Sequence, residues 1–180
     1  RRAESEQTSH YFDLDTLVNI AVQSALKSYR GFSPRVTQRV IGHVHFPAVS
    51  LVLVSDVIFV VIDNVFRRSR CGFSPEITIE CNYDEISETL SIVITNPVGA
   101  IDRQEVERTL DAIRERIRKG DIRSGAQTEG GSGLLKIAAM TRQSERASLS
   151  FGFQDDGCFR TSVILSVIAS PLAESVADQK

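Results

Sequence analysis

The chain has 180 residues, of which 42% are hydrophobic and 24% are charged, and its formal net charge is −2 at pH 7. This length and composition are those of one globular domain, and the near-zero charge argues against nucleic acid or an anionic membrane as the main partner. Its cysteines, Cys71, Cys81 and Cys158, are widely spaced without a CxxC pair, which indicates small buried apolar residues in a reducing, cytoplasmic compartment rather than a zinc site or a disulfide framework.

The N-terminal part predicts a helix followed by a strand. Residues 1–11 are polar and do not begin with methionine, so a linker and a segment cut from a longer polypeptide are expected. Asp13 is placed to cap a helix whose apolar residues recur at helical spacing as far as Leu26. Residues 35–44 alternate loosely between apolar and polar side chains, which predicts a strand.

The most apolar segment of the chain follows Pro47. Residues 51–66 predict a buried helix, because a polar break within the run leaves it too short and too interrupted to span a bilayer, which needs roughly 20 apolar residues. The helix ends near Asp63 and Asn64, whose carboxylate and carboxamide need polar partners if they are buried.

The next segments predict a hairpin and a helix. Apolar and polar side chains alternate over residues 76–81 and 90–94, which predicts two strands joined by a turn at residues 82–85. Asp102, with a glutamate three residues later, resembles a capping box that starts a helix reaching Ile117.

The last part predicts a loop, a helix and a second hairpin. Residues 119–129 have almost no apolar side chains and predict a mobile loop. The glycine cluster at residues 130–133 opens a helix that reaches Met140, and the backbone N–H groups at such a start stabilise phosphate oxygens. Residues 147–153 and 159–168 predict the hairpin. The order of elements predicts a two-layer α/β sandwich, with a mixed, mostly antiparallel sheet covered by helices on one face.

Three motifs together carry a resemblance to a known family. Residues 60–67, around Asp63-Asn64, resemble the N-box of the GHKL ATPase superfamily, which includes the ATP-binding domains of histidine kinases. Residues 128–135 are similar to the glycine box of that family, and residues 12–17 resemble the entry helix of histidine-kinase catalytic domains. The resemblance implies the GHKL (Bergerat) fold, with a domain at residues 12–168 and a C-terminal tail at residues 169–180.

The resemblance also implies that ATP and Mg²⁺ are the ligands. The Mg²⁺-binding asparagine of the N-box corresponds to Asn64, and the basic residue that contacts phosphate corresponds to Arg67 or Arg68. The remaining positions of the phosphate end lie in the glycine box, at Gly130, Gly131, Ser132, Gly133 and Leu134. Two alternatives remain open: Asn64 as a cap of its own helix, and Arg67 as an ordinary solvated charge.

The next motif of the family, Asp-x-Gly-x-Gly, is altered in this chain. The matching stretch is Thr95-Asn96-Pro97-Val98-Gly99, so Thr95 stands where the family has the aspartate that binds the adenine amino group. Thr95 or Asn96 can offer only a neutral acceptor, and the loss of a charged hydrogen bond is worth roughly 1.5–3 kcal/mol. The adenine end of the pocket is therefore expected to be degenerate and the phosphate end preserved.

The residues that would carry catalysis are also altered. The general-base glutamate of the hydrolysing ATPases corresponds to Val60, which accepts no proton, so Asp56 and Asp63 are the remaining candidates for an acid or base. The histidines are interpreted as structural rather than as phosphoacceptors: His10, His43 and His45.

Three functions fit these residues. The first is a GHKL nucleotide-binding domain of a larger signalling or regulatory protein, which binds ATP–Mg²⁺ mainly through phosphates with little or no hydrolysis. The second is a degenerate pseudo-kinase that acts as a nucleotide-independent scaffold, and the third is an active enzyme with an acid or base foreign to the family. Other domains of the same polypeptide are the expected partners, with a homodimer left open, and neither nucleic acid nor a membrane is expected to contact this segment.

Overall fold

The structure, a computed structural model, describes residues 11–42, 44–122 and 132–171. Its helices are α1 (Leu14–Lys27), α2 (Ala48–Arg68), α3 (Arg103–Lys119) and α4 (Ser132–Thr141). Its strands are β1 (Tyr11–Asp13), β2 (Arg35–Ile41), β3 (Val44–Pro47), β4 (Glu76–Asp84), β5 (Thr89–Asn96), β6 (Ser148–Phe153), β7 (Phe159–Ser166) and β8 (Ser170–Pro171). The predicted loop at residues 119–129 lies mostly outside the described residues, as do the N-terminal linker and most of the C-terminal tail.

The main sheet has five strands in the order β2-β4-β5-β7-β6. β2 runs parallel to β4, and the other neighbouring strands are antiparallel. Along β4 and β5 every second side chain is buried and the others face outward, so one face of the sheet is covered. Helix α4 contacts this sheet, and α1 and α2 pack against each other over the same core. The predicted two-layer sandwich with a mixed, mostly antiparallel sheet is confirmed.

The long helix α2 is the centre of the core. The helix begins at Ala48, directly after Pro47, whose backbone is extended. It contains no proline or glycine that would interrupt it. Val54, Ile58 and Ile62 on its inner side are fully buried. By length and composition alone α2 is also apolar enough to cross a membrane, but a buried core helix passes the same test. Its packing in this domain is that of the predicted core helix.

A second, small sheet was not predicted. β3 lies between β1 and β8 and is antiparallel to both, so segments from three distant parts of the chain meet there. The strand predicted over residues 35–44 is therefore two strands, separated at Gly42, whose φ is 136°. A Cβ on Gly42 would lie 3.2 Å from Cβ of Tyr83, which explains why a glycine suits this bend.

The first hairpin also differs from the prediction. β4 continues to Asp84, so the turn falls at residues 85–88 instead of residues 82–85. Tyr83 extends the alternation of buried residues because its ring packs edge-on against Phe46, with the ring centroids 5.2 Å apart. Burial of an aromatic ring outweighs the turn preference of its polar neighbours.

The cysteines are free and differ in burial. Cys81 lies in the core on β4, and burial raises the pKa of its thiol to about 12, as expected of a small apolar core residue. Cys71 and Cys158 are only half-buried, so the expectation of full burial is wrong for both. Cys71 lies in the bend before the turn at residues 72–73, and Cys158 follows the turn at residues 155–156, so one side of each faces solvent.

The predicted cap of α1 is confirmed. The carboxylate of Asp13 accepts hydrogen bonds from the backbone N–H and the hydroxyl of Thr16, both at 2.8 Å. These hydrogen bonds, the backbone one above all, lower the pKa of Asp13 below its ordinary value of 3.8. The cap therefore stabilises the fold fully above that pH, and its contribution is lost as the pH falls through the lowered pKa.

This cap has a measurable pH dependence. We expect Asp13→Ala to lower the free energy of unfolding by about 1 kcal/mol near neutral pH, because the N–H of Thr16 loses its acceptor. The difference from wild type should shrink below about pH 4, where the wild-type carboxylate also becomes protonated. Urea unfolding at several pH values measures it. Asp13→Asn keeps an acceptor without a titrating group, so an Asn variant that loses as much stability as the Ala variant would contradict this account of the cap.

Candidate functional site

A cavity of about 410 Å³ opens between the C-terminal end of α2, the N-terminal parts of α3 and α4, and the ends of the central strands; we name it the interhelical cavity. Its polar lining residues are Asn64, Arg67, Arg68, Ser69, Arg70, Asn96, Asp102, Glu105 and Thr109. Its apolar lining residues are Val65, Val98, Ile101, Val106, Leu110, Ile113, Leu134, Phe153 and Phe159. Half of the lining residues are polar, which is more than in the usual apolar small-molecule site, and this favours a charged or polar ligand.

One wall of the cavity is the contact between α2 and α4. Asn64 is half-buried one turn from the end of α2, and Val60 lies one turn before it on the same side. A Cβ placed on Gly133 would lie 2.8 Å from Cγ1 of Val60 and 3.4 Å from Nδ2 of Asn64. Only glycine therefore allows this close approach of the two helices. The prediction that these helices lie side by side is confirmed for Asn64 and Gly133.

The rest of the glycine box is only partly within the described residues. Gly130 and Gly131 lie outside them, and Ser132 is described by its backbone as the first residue of α4. Leu134 is buried and lines the interhelical cavity. The N-terminal end of α4 is thus next to Asn64, as the order of the motifs predicts.

The sheet contributes a row of three side chains to the cavity. Asn96 at the end of β5 is paired with Phe159 at the start of β7, and Phe159 is paired with Phe153 at the end of β6. All three line the cavity. The two phenyl rings meet edge to face, with their centroids 5.4 Å apart. Neither phenylalanine was predicted as a site residue, since only the pairing of the strands brings them to Asn96.

The two candidate acceptors on β5, Thr95 and Asn96, have opposite orientations. Buried and outward side chains alternate along β5, and Thr95 is on the outward face, opposite Thr78 and Arg160 in the neighbouring strands. Asn96 is 5% exposed and faces the interhelical cavity instead. Its Nδ2 donates a hydrogen bond to the carbonyl oxygen of Pro97 at 2.8 Å. Of these two residues, Asn96 therefore lines the cavity and Thr95 does not.

Gly99 also differs from its assignment as a nucleotide contact. It is not among the residues that line the cavity, and its N–H donates to the carbonyl oxygen of Ser69 at 2.7 Å. A Cβ on Gly99 would lie 2.4 Å from the carbonyl oxygen of Arg70. This glycine lets the chain after β5 pass directly against the end of α2, which shapes the cavity from outside.

The rim of the cavity is basic. Arg67, Arg68 and Arg70 all line it, and all three are exposed. Arg67 forms an ion pair through Nε with Oδ1 of Asp63 at 2.7 Å. Arg70, which was not predicted as a site residue, has a φ of 54°, an uncommon value for a residue other than glycine.

The acidic candidates fall in different places. Asp56 is exposed on α2 and does not line the cavity. Asp63 accepts hydrogen bonds from Arg67 and from the hydroxyl of Tyr29. It therefore contacts the rim residue Arg67 without lining the cavity itself. Asp102 caps α3, and its carboxylate accepts from the N–H groups of Gln104 and Glu105. Among the histidines, His45 lies on β3 away from the cavity, while His10 and His43 lie outside the described residues.

Comparison with known families decides what kind of domain carries this cavity. Residues 13–166 match the family described as "y4jQ C-terminal putative histidine kinase domain". The chain belongs to this family. The resemblance to GHKL histidine-kinase ATP-binding domains is therefore confirmed, over nearly the whole of the described chain. A search of curated protein sequences found no match.

Solved structures agree on the fold of the domain. The nucleotide-free catalytic domain of the histidine kinase ThkA superposes with a TM-score of 0.57 at 10% identity, over 91% of this chain and 98% of that one. The mycobacterial sensor histidine kinase MprB superposes with a TM-score of 0.53 at 14% identity, over 91% of this chain and 99% of that one. The Acinetobacter baumannii histidine kinase AdeS superposes with a TM-score of 0.52 at 12% identity, over 88% of this chain and 68% of that one. At such identities the likeness establishes the fold alone.

Proposed function

We propose that this histidine-kinase-type domain binds ATP–Mg²⁺ in the interhelical cavity and hydrolyses it slowly or not at all. The observation that carries the proposal is the placement of Asn64, three arginines and the buried Asn96 on the walls of one cavity of about 410 Å³. The domain would act within a larger signalling or regulatory protein in the cytoplasm, where the bound nucleotide changes its contacts with neighbouring domains.

The phosphates are assigned to the end of the cavity between α2 and α4. Asn64 is half-buried there, and Arg67, Arg68 and Arg70 line the rim. Guanidinium groups bind phosphate oxygens through charge-assisted hydrogen bonds, which are stronger than neutral ones. The start of α4 at the same end contributes the partial positive charge of a helix N-terminus.

Mg²⁺ fits the same end. The carboxamide oxygen of Asn64 is a hard ligand of the kind that Mg²⁺ prefers, and phosphate oxygens and water complete such a shell in proteins that bind the ion through few side chains. When bound, the ion would neutralise part of the phosphate charge. Asn64 lies next to Gly133, since a Cβ on that glycine would be 3.4 Å from Nδ2 and 3.7 Å from Oδ1 of Asn64.

The base is assigned to the row formed by Asn96, Phe159 and Phe153. The phenyl rings offer an apolar surface, and base–aromatic stacking is tolerant of base identity. Asn96 supplies a neutral polar group at 5% exposure where a carboxylate would give a stronger hydrogen bond. We therefore expect the phosphates to contribute most of the binding affinity, and we expect weak selectivity among the bases.

Calorimetric titration of ATP with and without Mg²⁺ tests the proposal. We expect saturable binding that Mg²⁺ strengthens, and we expect Asn64→Ala to remove most of the Mg²⁺ dependence, since it deletes the side-chain oxygen. Asp56→Ala is the control, because Asp56 lies on the same helix away from the cavity. The absence of binding at millimolar ATP with Mg²⁺ would exclude the proposal and favour the nucleotide-independent scaffold.

A further inference from the structure

A tyrosine outside the interhelical cavity is tied to its rim through one carboxylate. Tyr29 follows the end of α1, and its hydroxyl donates a hydrogen bond to Oδ1 of Asp63 at 2.7 Å. The same oxygen accepts from Nε of Arg67, also at 2.7 Å. Neither Tyr29 nor Asp63 lines the cavity, whereas Arg67 does. The three side chains therefore connect α1 to the basic rim.

The ring of Tyr29 is held on several sides. It stacks on Phe59 with the ring centroids 5.9 Å apart, lies 4.7 Å from the ring of Phe66, and meets Phe32 edge-on at 6.2 Å. Burial, together with the bond to Asp63, raises the pKa of Tyr29, so the phenol stays protonated and donates its hydrogen bond. A fixed ring with a fixed donor holds the carboxylate of Asp63 in one orientation.

Arg67 benefits from this restraint because its own side chain is exposed. The side chain of Asp63 is 29% exposed and that of Arg67 is 64% exposed. An exposed ion pair between residues four apart on a helix is weak by itself, since two long side chains must be ordered against solvent. Because the carboxylate of Asp63 is already held by Tyr29, only the side chain of Arg67 must be ordered, and the entropic cost of forming the ion pair is smaller. With Nε bound, the orientation of the guanidinium plane at the rim is restricted.

We propose that Tyr29 is a positioning residue, which orders Arg67 for the phosphates of a bound nucleotide through Asp63. This inference rests on the proposed function. Ordering one flexible side chain in advance is worth about two- to tenfold in affinity. The ring and the hydroxyl have separate roles: the ring packs between the helices, and the hydroxyl alone orients Asp63. Tyr29→Phe therefore separates positioning from packing.

The first test compares nucleotides that differ in phosphates. We expect Tyr29→Phe to weaken Mg²⁺–ATP about two- to tenfold, to leave adenosine unchanged, and to have no further effect in an Arg67→Gln background, because the two residues act through one interaction. Tyr11→Phe is the matched control, since Tyr11 is exposed on β1 and does not line the cavity. Thermal unfolding of each variant checks that the fold is retained.

The second test needs no nucleotide. We expect the Nε–H resonance of Arg67, assigned by its loss in Arg67→Gln, to be resolved in wild type and to shift or broaden in Tyr29→Phe. Equal ATP affinity in both proteins, equal weakening of adenosine, or an unchanged Arg67 resonance would overturn the positioning role. A wild-type titration without any binding would overturn the proposed function and this inference with it, and is distinguished by the flat wild-type curve.

Discussion

Replacing Asn96 by aspartate is expected to tighten ATP about tenfold without tightening GTP. Asn96 is 5% exposed and faces the interhelical cavity, so a carboxylate there meets the amino group of adenine in a largely water-free site. A charge-assisted hydrogen bond is worth roughly 1.5–3 kcal/mol, and guanine presents a carbonyl oxygen in the corresponding place. The lost bond from Nδ2 to the carbonyl oxygen of Pro97 offsets about 1 kcal/mol of that gain.

The adjacent residue is the matched control for this substitution. Thr95→Asp adds the same charge one position earlier on β5, but on the outward face of the sheet. We expect it to leave the affinities for ATP and GTP unchanged. Calorimetry or competition with a fluorescent nucleotide measures both. If Thr95→Asp tightened ATP while Asn96→Asp did not, Thr95 would be the residue that meets the base, contrary to the orientation of β5.

The fold and the contact of α2 with α4 beside the cavity were predictable from local sequence. The apolar stripe of α1 and the continuous apolar run of α2 indicate helices by spacing and length alone, and the caps at Asp13 and Asp102 mark where helices begin. The close contact between Asn64 on α2 and Gly133 on α4 was predicted from the order of two motifs in the chain. Glycine is informative at that position because no larger residue permits the contact.

The orientation of β5 distinguishes the two residues that the sequence offered as acceptors. Matching motif letters assigned the aspartate position to Thr95, but the alternation of Leu90, Ile92 and Ile94 continues to Asn96, which is buried on the same face. The sequence therefore already indicated that Asn96 is on the buried face, since the side chains of a strand alternate with a period of two. Periodicity of the strand is the stronger guide where a motif is degenerate.

Other parts of the site were not predictable from local patterns. Phe153 and Phe159 reach the cavity because β5, β7 and β6 are paired in one register, which involves segments far apart in the chain. The small sheet of β1, β3 and β8 has the same origin. Arg70 lies at the rim because the chain turns at the end of α2 with a positive φ. No short-range rule places such residues.

Introducing a general base at position 60 is expected to speed ATP hydrolysis by the domain. Val60 itself does not line the cavity, but it lies one helical turn before Asn64 and its Cγ1 would be 2.8 Å from a Cβ on Gly133. The longer side chain of a glutamate at position 60 would therefore extend toward the end of the cavity between α2 and α4, where the phosphates are proposed to bind. Valine accepts no proton from water. We expect wild-type hydrolysis to be slow or absent, and we expect Val60→Glu to raise steady-state phosphate release about 10²- to 10⁴-fold, the usual contribution of a positioned base.

The controls separate a new base from a general disturbance of α2. Val52→Glu places the same side chain on an exposed position of this helix, outside the cavity, and should release no phosphate above wild type. Val60→Gln matches the size of the glutamate without its basicity and should also remain inactive. Removing Asn64 in the Val60→Glu background should abolish the gained activity, since Mg²⁺ and phosphate would lose their ligand. Phosphate release by wild type that Asn64→Ala abolishes would mean that another residue already activates water, because the valine at position 60 has no group able to do so.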